Sequence, residues 1–281
     1  MSIDVPYLVT GLLIHVILLY IVHRQRFLKW PDGIISATIL SFTGYLANFL
    51  FWLILISFFI PASILSNLNK EKKKNLIISE KASQRRGSQV IANSAGFLLF
   101  SIFQLWDSGI NGQLSVIYFL SASIYLVSAS SDTWSTEIGT LSKSEPRNIL
   151  NLKERIPKGT SGGVTLLGSF GGLVGSGYLS FIAIILLFRY NLTSNWLLLL
   201  ISLVLLGFLG QVIDSVLGAT LQKKYYCPNC GLNVEHEYHN ICQSEKLNKI
   251  KSYTFLDNNT VNFLSSSIIC AIGFFLFSVI I

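Results

Sequence analysis

Ile34 to Leu68 reads IISATILSFTGYLANFLFWLILISFFIPASILSNL and contains no Asp, Glu, Lys or Arg. A helix rises about 1.5 Å per residue and a bilayer core is about 30 Å thick, so the stretch is too long for one upright span. A split near Asn48 gives two spans. The alternative is one tilted helix with a flanking segment. Further apolar stretches run from Val5 to Val22, Gly87 to Trp106, Gln113 to Ser131, Gly162 to Phe188, Trp196 to Leu221 and Asn258 to Ile281. The set predicts an all-α fold, a polytopic transmembrane helix bundle of about seven to eight spans.

Composition agrees. Hydrophobic residues make up 51 % and charged residues 12 % of the 281 positions. Mean hydropathy is +0.57, whereas a soluble domain carries about 25 % charged residues. The first apolar stretch follows only Asp4, with no basic n-region or small-residue cleavage site, and reads as a retained span.

Lysine and arginine set the expected orientation. With the N-terminus outside and eight spans, every Lys and Arg except Arg189 falls on one side, which is then cytosolic, and both termini face out. The net charge of +7 follows from this asymmetry and from an anionic leaflet surface. It requires membrane lipid as a partner and no nucleic acid.

Four polar segments interrupt the apolar pattern near the basic side. SASSDTWSTEIGTL (128–141) brings Asp132 and Glu137 to the mouth of a span. They lie five residues apart, about 140° round a helix. Carboxylates among hydroxyls suit a hard cation such as Mg²⁺, and a plain interfacial cap reads equally well. IPKGTSGGVTLLGSFGGLVGS (156–176) places Lys158, Gly159, Thr160, Ser161, Gly162 and Gly163 before a helix start, where amides and a cation suit a phosphate. The later glycines, Gly168, Gly171, Gly172 and Gly175, have the spacing of close helix packing. Asp214 is a lone carboxylate in an apolar span and is expected to face a cavity, a partner or an ion. FLDNNTVNFLSSS (255–267) contains Asp257, Asn258, Asn259 and Asn262. Asp257 with Thr260 fits a helix cap, and the oxygen-rich run also fits Mg²⁺ or a ribose and phosphate.

YYCPNCGLNVEHEYHNIC (225–242) carries a C-P-x-C-G knuckle at Cys227 and Cys230, followed by His236, His239 and Cys242. Three thiolates and one imidazole satisfy tetrahedral Zn²⁺, with the choice of histidine open. The site is closed and hence structural. The expected organisation is a single integral membrane domain, 1–281, with a small zinc-knuckle-like cytosolic insertion at 223–256.

QRRGSQVIANSAG (84–96), SDTWSTEIG (131–139), PKGTSGGVTLLG (157–168), DSVLGATLQ (214–222) and LDNNTVNFLSS (256–266) occur in this order. Together they resemble the membrane family that contains plant phytyl-phosphate kinase and the animal transmembrane protein 19 group. The cysteine loop lies as an insertion between the last two blocks. The resemblance implies conversion of a prenyl phosphate to a prenyl diphosphate, with a nucleoside triphosphate (CTP or ATP) as donor and Mg²⁺ as cofactor. A phosphate oxygen is already a nucleophile, so such a site needs positioning and charge more than a strong base. Asp132, Glu137, Asp214 and Asp257 are then expected to hold the metal, and Arg147 and Lys158 with Gly159–Gly163 the phosphates. Two other classes remain: a transporter or flippase for a polar lipid or ion, and a non-catalytic membrane scaffold.

Overall fold

A computed structural model describes residues 5–68, 85–107, 112–190, 195–229, 231–234, 247, 250 and 256–281. Helix α1 (Val5–Arg24) packs on α2 (Asp32–Ala47). Tyr7 and Tyr45 stack with ring centres 4.5 Å apart, and each hydroxyl donates to the other's backbone carbonyl. One extended residue, Asn48, separates α2 from α3 (Phe49–Leu68), and its side chain accepts from Leu50 N. Trp52 Nε1 donates to Ser41 Oγ at 3.0 Å. Eleven residues would separate these groups by about 16 Å along a straight helix. The uncharged stretch is therefore two helices folded back on each other, not one tilted helix.

The stretch 87–106, expected as one span, is broken into α4 (Gly87–Ala92) and α5 (Ala95–Trp106). Tyr125 explains the break. Its hydroxyl donates to Ala92 O at 2.6 Å, and its ring lies against Gly96, where a Cβ would collide with it. Helix α6 (Gln113–Gly139) runs two turns past the expected Ser131. It packs against α3, α5, α7 (Leu166–Leu187), α8 (Trp196–Thr220) and α9 (Asn258–Ile280). Its apolar window is 89 % buried inside the protein, against 28–50 % for α3, α7, α8 and α9. Those five helices are long and apolar enough to cross a membrane. With α1, α2 and α5 they make eight apolar helices among the described residues, in keeping with the seven to eight expected. Exposed Val16, Phe181, Leu205 and Phe275 give the bundle its apolar outer face.

The α6–α7 seam is built from small residues. Ser130 Oγ donates to Gly175 O (3.1 Å) and Ser131 Oγ to Gly172 O (2.9 Å). In lipid the hydrophobic effect does not drive helices together, so close backbone approach and polar contacts carry the packing. Pro61 within α3 removes the N–H that Ser57 O would accept, and Tyr178 OH donates to that carbonyl instead, at 3.4 Å.

Short strands occupy the connections. β1 (Arg147–Asn148), β2 (Asn151–Arg155) and β3 (Gly163–Val164) form an antiparallel sheet in the order β2–β1–β3. Pairing of Gly163–Val164 with β1 delays the start of α7 from the expected Gly162 to Leu166, where the Thr165 side chain caps it. β4 (Tyr225–Cys227) and β5 (Leu232–Val234) form a hairpin in the insertion.

A Cβ at position 175 would sit 2.6 Å from Trp134 Cγ and 3.1 Å from Ser130 O, while Gly177 has nothing within 4 Å. Gly175→Val is expected to lower stability by about 1–3 kcal/mol, read as a lower melting temperature in detergent, and Gly177→Ala to leave it unchanged or raise it by up to about 1 kcal/mol.

Candidate functional site

The C-terminal ends of α3, α6 and α8 and the N-terminal ends of α7 and α9 meet at one end of the bundle, around a polar cavity of about 260 Å³. The connections close over the same end. Leu28 pairs with Arg85, Gln222 pairs with Leu256, and Ser161 Oγ donates to Gln222 Oε1 at 2.6 Å.

Three carboxylates line the cavity: Asp132 and Glu137 from α6 and Asp214 from α8. The cavity wraps the end of α6, so both acids reach it despite their angular separation. Glu137 is 4 % exposed and accepts from Ser66 Oγ at 2.7 Å. Arg85 Nη2 donates to the same hydroxyl (3.3 Å) and to Ala62 O (3.2 Å). Burial lowers the pKa of the Arg85 guanidinium and the nearby Glu137 opposes that shift, and a guanidinium stays protonated regardless. Asp214 points into the protein, away from lipid. It accepts from Ser265 Oγ (3.1 Å), and the Asn262 amide, oriented to satisfy its neighbours, donates to it at 3.0 Å.

The loop carrying Lys158, Gly159, Thr160, Ser161, Gly162 and Gly163 also lines the cavity. Gly159 and Gly162 have φ of +89° and +83°, and a Cβ on Gly162 would lie 2.5 Å from Ala219 Cβ. Both positions therefore need glycine. Lys158 Nζ donates to Ser142 O, which ties the cation to the loop. The glycines sit one short strand before α7, while Thr165 and Gly168 bring the α7 N-terminus itself to the cavity. Its unpaired amides and positive dipole end favour an anion.

Asn258 and Asn262 also line the cavity. Asp257, Asn259 and Arg147 are not among its lining residues. Asp257 caps α9, accepting from Thr260 N and Oγ1, both at 2.8 Å. Asn259 donates to Ser88 Oγ, and Arg147 donates to Leu152 O within its own hairpin. The expected four-carboxylate group thus becomes three around the cavity and one cap. Several lining residues were not picked out from the sequence: Arg26, Arg85, Asn93, Ser63 and Gln211. Gln211 is 3 % exposed, and its Oε1, like Ser63 Oγ and Thr160 Oγ1, has no hydrogen-bond partner among the described residues. Buried polar atoms of this kind are ordinarily satisfied, so they mark the cavity as a place for polar content.

Among the described residues the lining charges balance: Arg26, Arg85 and Lys158 against Asp132, Glu137 and Asp214. No group of three or more His, Cys, Asp or Glu able to hold a metal occurs among the described residues. Mg²⁺ is usually held by one or two carboxylates with substrate phosphates and water rather than by an all-protein cage. Asp132 and Asp214 are two carboxylates on one cavity, a donor set of that kind. Of the cysteine-loop residues, Cys227 is buried at the end of β4, and Gly231 N donates to its carbonyl across the turn. Cys230, His236, His239 and Cys242 lie outside the described residues.

Residues 13–270 match the family model described as Integral membrane protein DUF92. Protein PGR of Arabidopsis thaliana is 30 % identical over 257 residues, 86 % of each chain. A membrane protein of Methanocaldococcus jannaschii is 32 % identical over 232 residues, 81 % of this chain and 88 % of the relative. A membrane protein of Synechocystis is 27 % identical over 207 residues, 70 % of each chain. No solved structure matches the chain.

The Asp257 cap makes its own prediction. Burial pushes its carboxyl up, but the Thr260 amide and hydroxyl and the charge of Lys223 outweigh this and hold it below the usual carboxylate range. Its contribution is therefore present above the unfolded carboxylate pKa and is lost as pH falls through the depressed folded value. Asp257→Ala should cost about 1 kcal/mol, read as a lower melting temperature at neutral pH, with the gap to wild type closing in acid.

Proposed function

The chain belongs to the DUF92 family of integral membrane proteins, and on that footing we propose that it is a Mg²⁺-dependent isoprenyl-phosphate kinase. The observation that carries this reading is one cavity at a bundle end combining Asp132, Asp214 and Glu137 with Lys158, a glycine loop and the α7 N-terminus. These are the parts that phosphoryl transfer requires: negative groups for a metal, and cations and amides for phosphates.

In this reading an oxygen of the prenyl monophosphate attacks the γ-phosphorus of a nucleoside triphosphate such as ATP or CTP. The new P–O bond forms as the bond to the β-phosphate bridging oxygen breaks, and the nucleoside diphosphate leaves. Lys158, the Gly159–Gly163 amides and the α7 N-terminus hold the phosphates in line. Asp132 and Asp214 would hold Mg²⁺, which neutralises charge on the transferring phosphates. Ser265 and Asn262 orient Asp214, and Ser66, itself bonded by Arg85, fixes Glu137. The basic connections at this end favour a cytosolic face for the cavity, where nucleotides are at hand. The Cys227–Cys242 loop serves as a structural zinc site, with Cys227, Cys230 and Cys242 joined by His236 or His239.

A second reading, transport of a polar lipid or ion, is favoured by the break between α4 and α5 beside the cavity, since interrupted helices are a mark of transporter sites. Product analysis separates the two, because transport forms no diphosphate.

Asp214→Asn keeps the shape of the side chain and removes the charge. It should abolish diphosphate formation from farnesyl, geranylgeranyl or phytyl phosphate with ATP or CTP, while the melting temperature stays close to wild type. Full activity in this variant, or no diphosphate from any pairing, would reject the kinase. Lys158→Ala should raise KM for a phosphate substrate in a graded manner, because the loop amides remain. Metal analysis should find about one Zn²⁺ per chain, lost in Cys227→Ser, with ligation by sulfur and nitrogen.

A further inference from the structure

A second, apolar groove of about 440 Å³ lies between α1, α2 and α3. Leu18 and Val22 line it from α1, Ala37 and Leu40 from α2, Leu55 and Phe58 from α3. Phe27, Arg85, Gln89 and Asn93 line both this groove and the polar cavity, so the two adjoin there. At the seam Asp32 accepts from Gly87 N at 2.8 Å, which sets the level of α2 there. Ser41, nine residues on, lies about 13 Å deeper along α2. There His15 Nε2 and Trp52 Nε1 both meet the Ser41 hydroxyl, at 2.8 and 3.0 Å, and His15 and Ser41, which line the groove, form its polar floor. Ile21, Ile60 and Ile64 border the groove and are 45, 38 and 46 % exposed, so it opens sideways to the lipid phase.

Hydrocarbon fills such a groove in a bilayer with no hydrophobic gain, so the choice of occupant must come from the seam. There the Arg85 charge complements an anion, with Arg26 on the polar-cavity side, and Phe27 borders both that anion and the groove. The volume lies in the range of about 300–1,000 Å³ that encloses a ligand of drug size, which suits one hydrocarbon chain better than the two chains of a phospholipid. We infer that the groove is the tail channel of a single-chain lipid phosphate whose headgroup occupies the polar cavity, and that the tail enters sideways from the bilayer between α1 and α3. The inference rests on the cavity being a phosphate site, and it adds where the tail lies and what limits it: the walls at Leu18 and Ala37 and the floor at His15 and Ser41.

The test uses the full chain in lipid nanodiscs with two photoreactive probes, an isoprenyl monophosphate with a diazirine at the tail and the matching isoprenol without phosphate. The phosphate probe should label peptides of α1, α2 and α3, and Ala37→Trp should reduce that labelling about tenfold, equivalent to about 1.4 kcal/mol of binding. Binding of dimethylallyl phosphate, whose short tail does not reach Ala37, should not change. Leu18→Trp, which narrows the groove from the opposite wall, serves if Ala37→Trp does not fold. Labelling confined to the outer faces of α5–α9, or labelling insensitive to both substitutions, overturns the channel. If this happens while dimethylallyl phosphate still binds, the phosphate reading of the cavity stands alone. Equal labelling of the groove by the isoprenol keeps the channel and rejects the phosphate reading, and specific labelling by neither probe rejects both.

Discussion

The bundle depends on the contact between the serine face of α6 and the glycine face of α7. Ser130 and Ser131 give their hydroxyl protons to carbonyls of α7 at positions that lack side chains. This brings backbone against backbone where lipid offers no hydrophobic incentive to associate. The spacing fixes the axis of α6, and α6 fixes the rest, because five other helices pack on it. Asp132 follows Ser131 directly, and Glu137 lies little more than a turn beyond. The acids of the cavity are thus positioned by the most buried helix. Asp214 arrives by the same logic on α8, where Gly210 lets the helix lie close against Ser128.

Charge at this end of the bundle is concentrated and compensated. Isolated ions in a low-dielectric interior cost several kcal/mol each, and the protein meets this by interleaving signs and inserting hydroxyls between them. Ser66 accepts from Arg85 and donates to Glu137, so one hydroxyl relays between a guanidinium and a carboxylate. Asn262 and Ser265 do comparable work for Asp214. A site built this way has fixed dipoles before any ligand arrives, which is what stabilisation of a charged transition state requires.

Much of this was legible in the sequence. Long uncharged stretches define the spans because lipid excludes charge, and Asn48 marks the turn between α2 and α3 because its amide caps the start of α3. Asp214 stood out as a carboxylate in an apolar helix. Arg85 did not, because it sits at the end of a basic stretch that reads as a solvated loop; only folding turns it inward beside Ser66. Gln211 carries no charge, and its polarity is hidden within a helix of otherwise apolar residues. The break at Asn93–Ser94 contains no proline, and its cause is Tyr125, distant in sequence. Asp257 illustrates the reverse. An acid followed three residues later by threonine at a helix start was open to two readings, and the local one describes where its side chain goes. The glycines of 159–163 announced a tight backbone but not the strand that pairs with Arg147–Asn148 before the helix begins.

Helix α1 is held differently from everything around the cavity. Its main packing is against α2, through the paired tyrosines and the His15–Ser41 contact, while α6 is enclosed on all sides. Stability within a fold is unequal, and elements with few buried contacts open first. The molecule therefore has a stiff end, where charges are held in register, and a compliant wall beside it. Outward bending of α1 breaks contacts chiefly with α2, together with the His15–Trp52 contact to α3, and it widens the space next to α3 while the cavity carboxylates stay on α6 and α8. The fold thus divides its labour between an elastic part and a rigid part within one continuous chain.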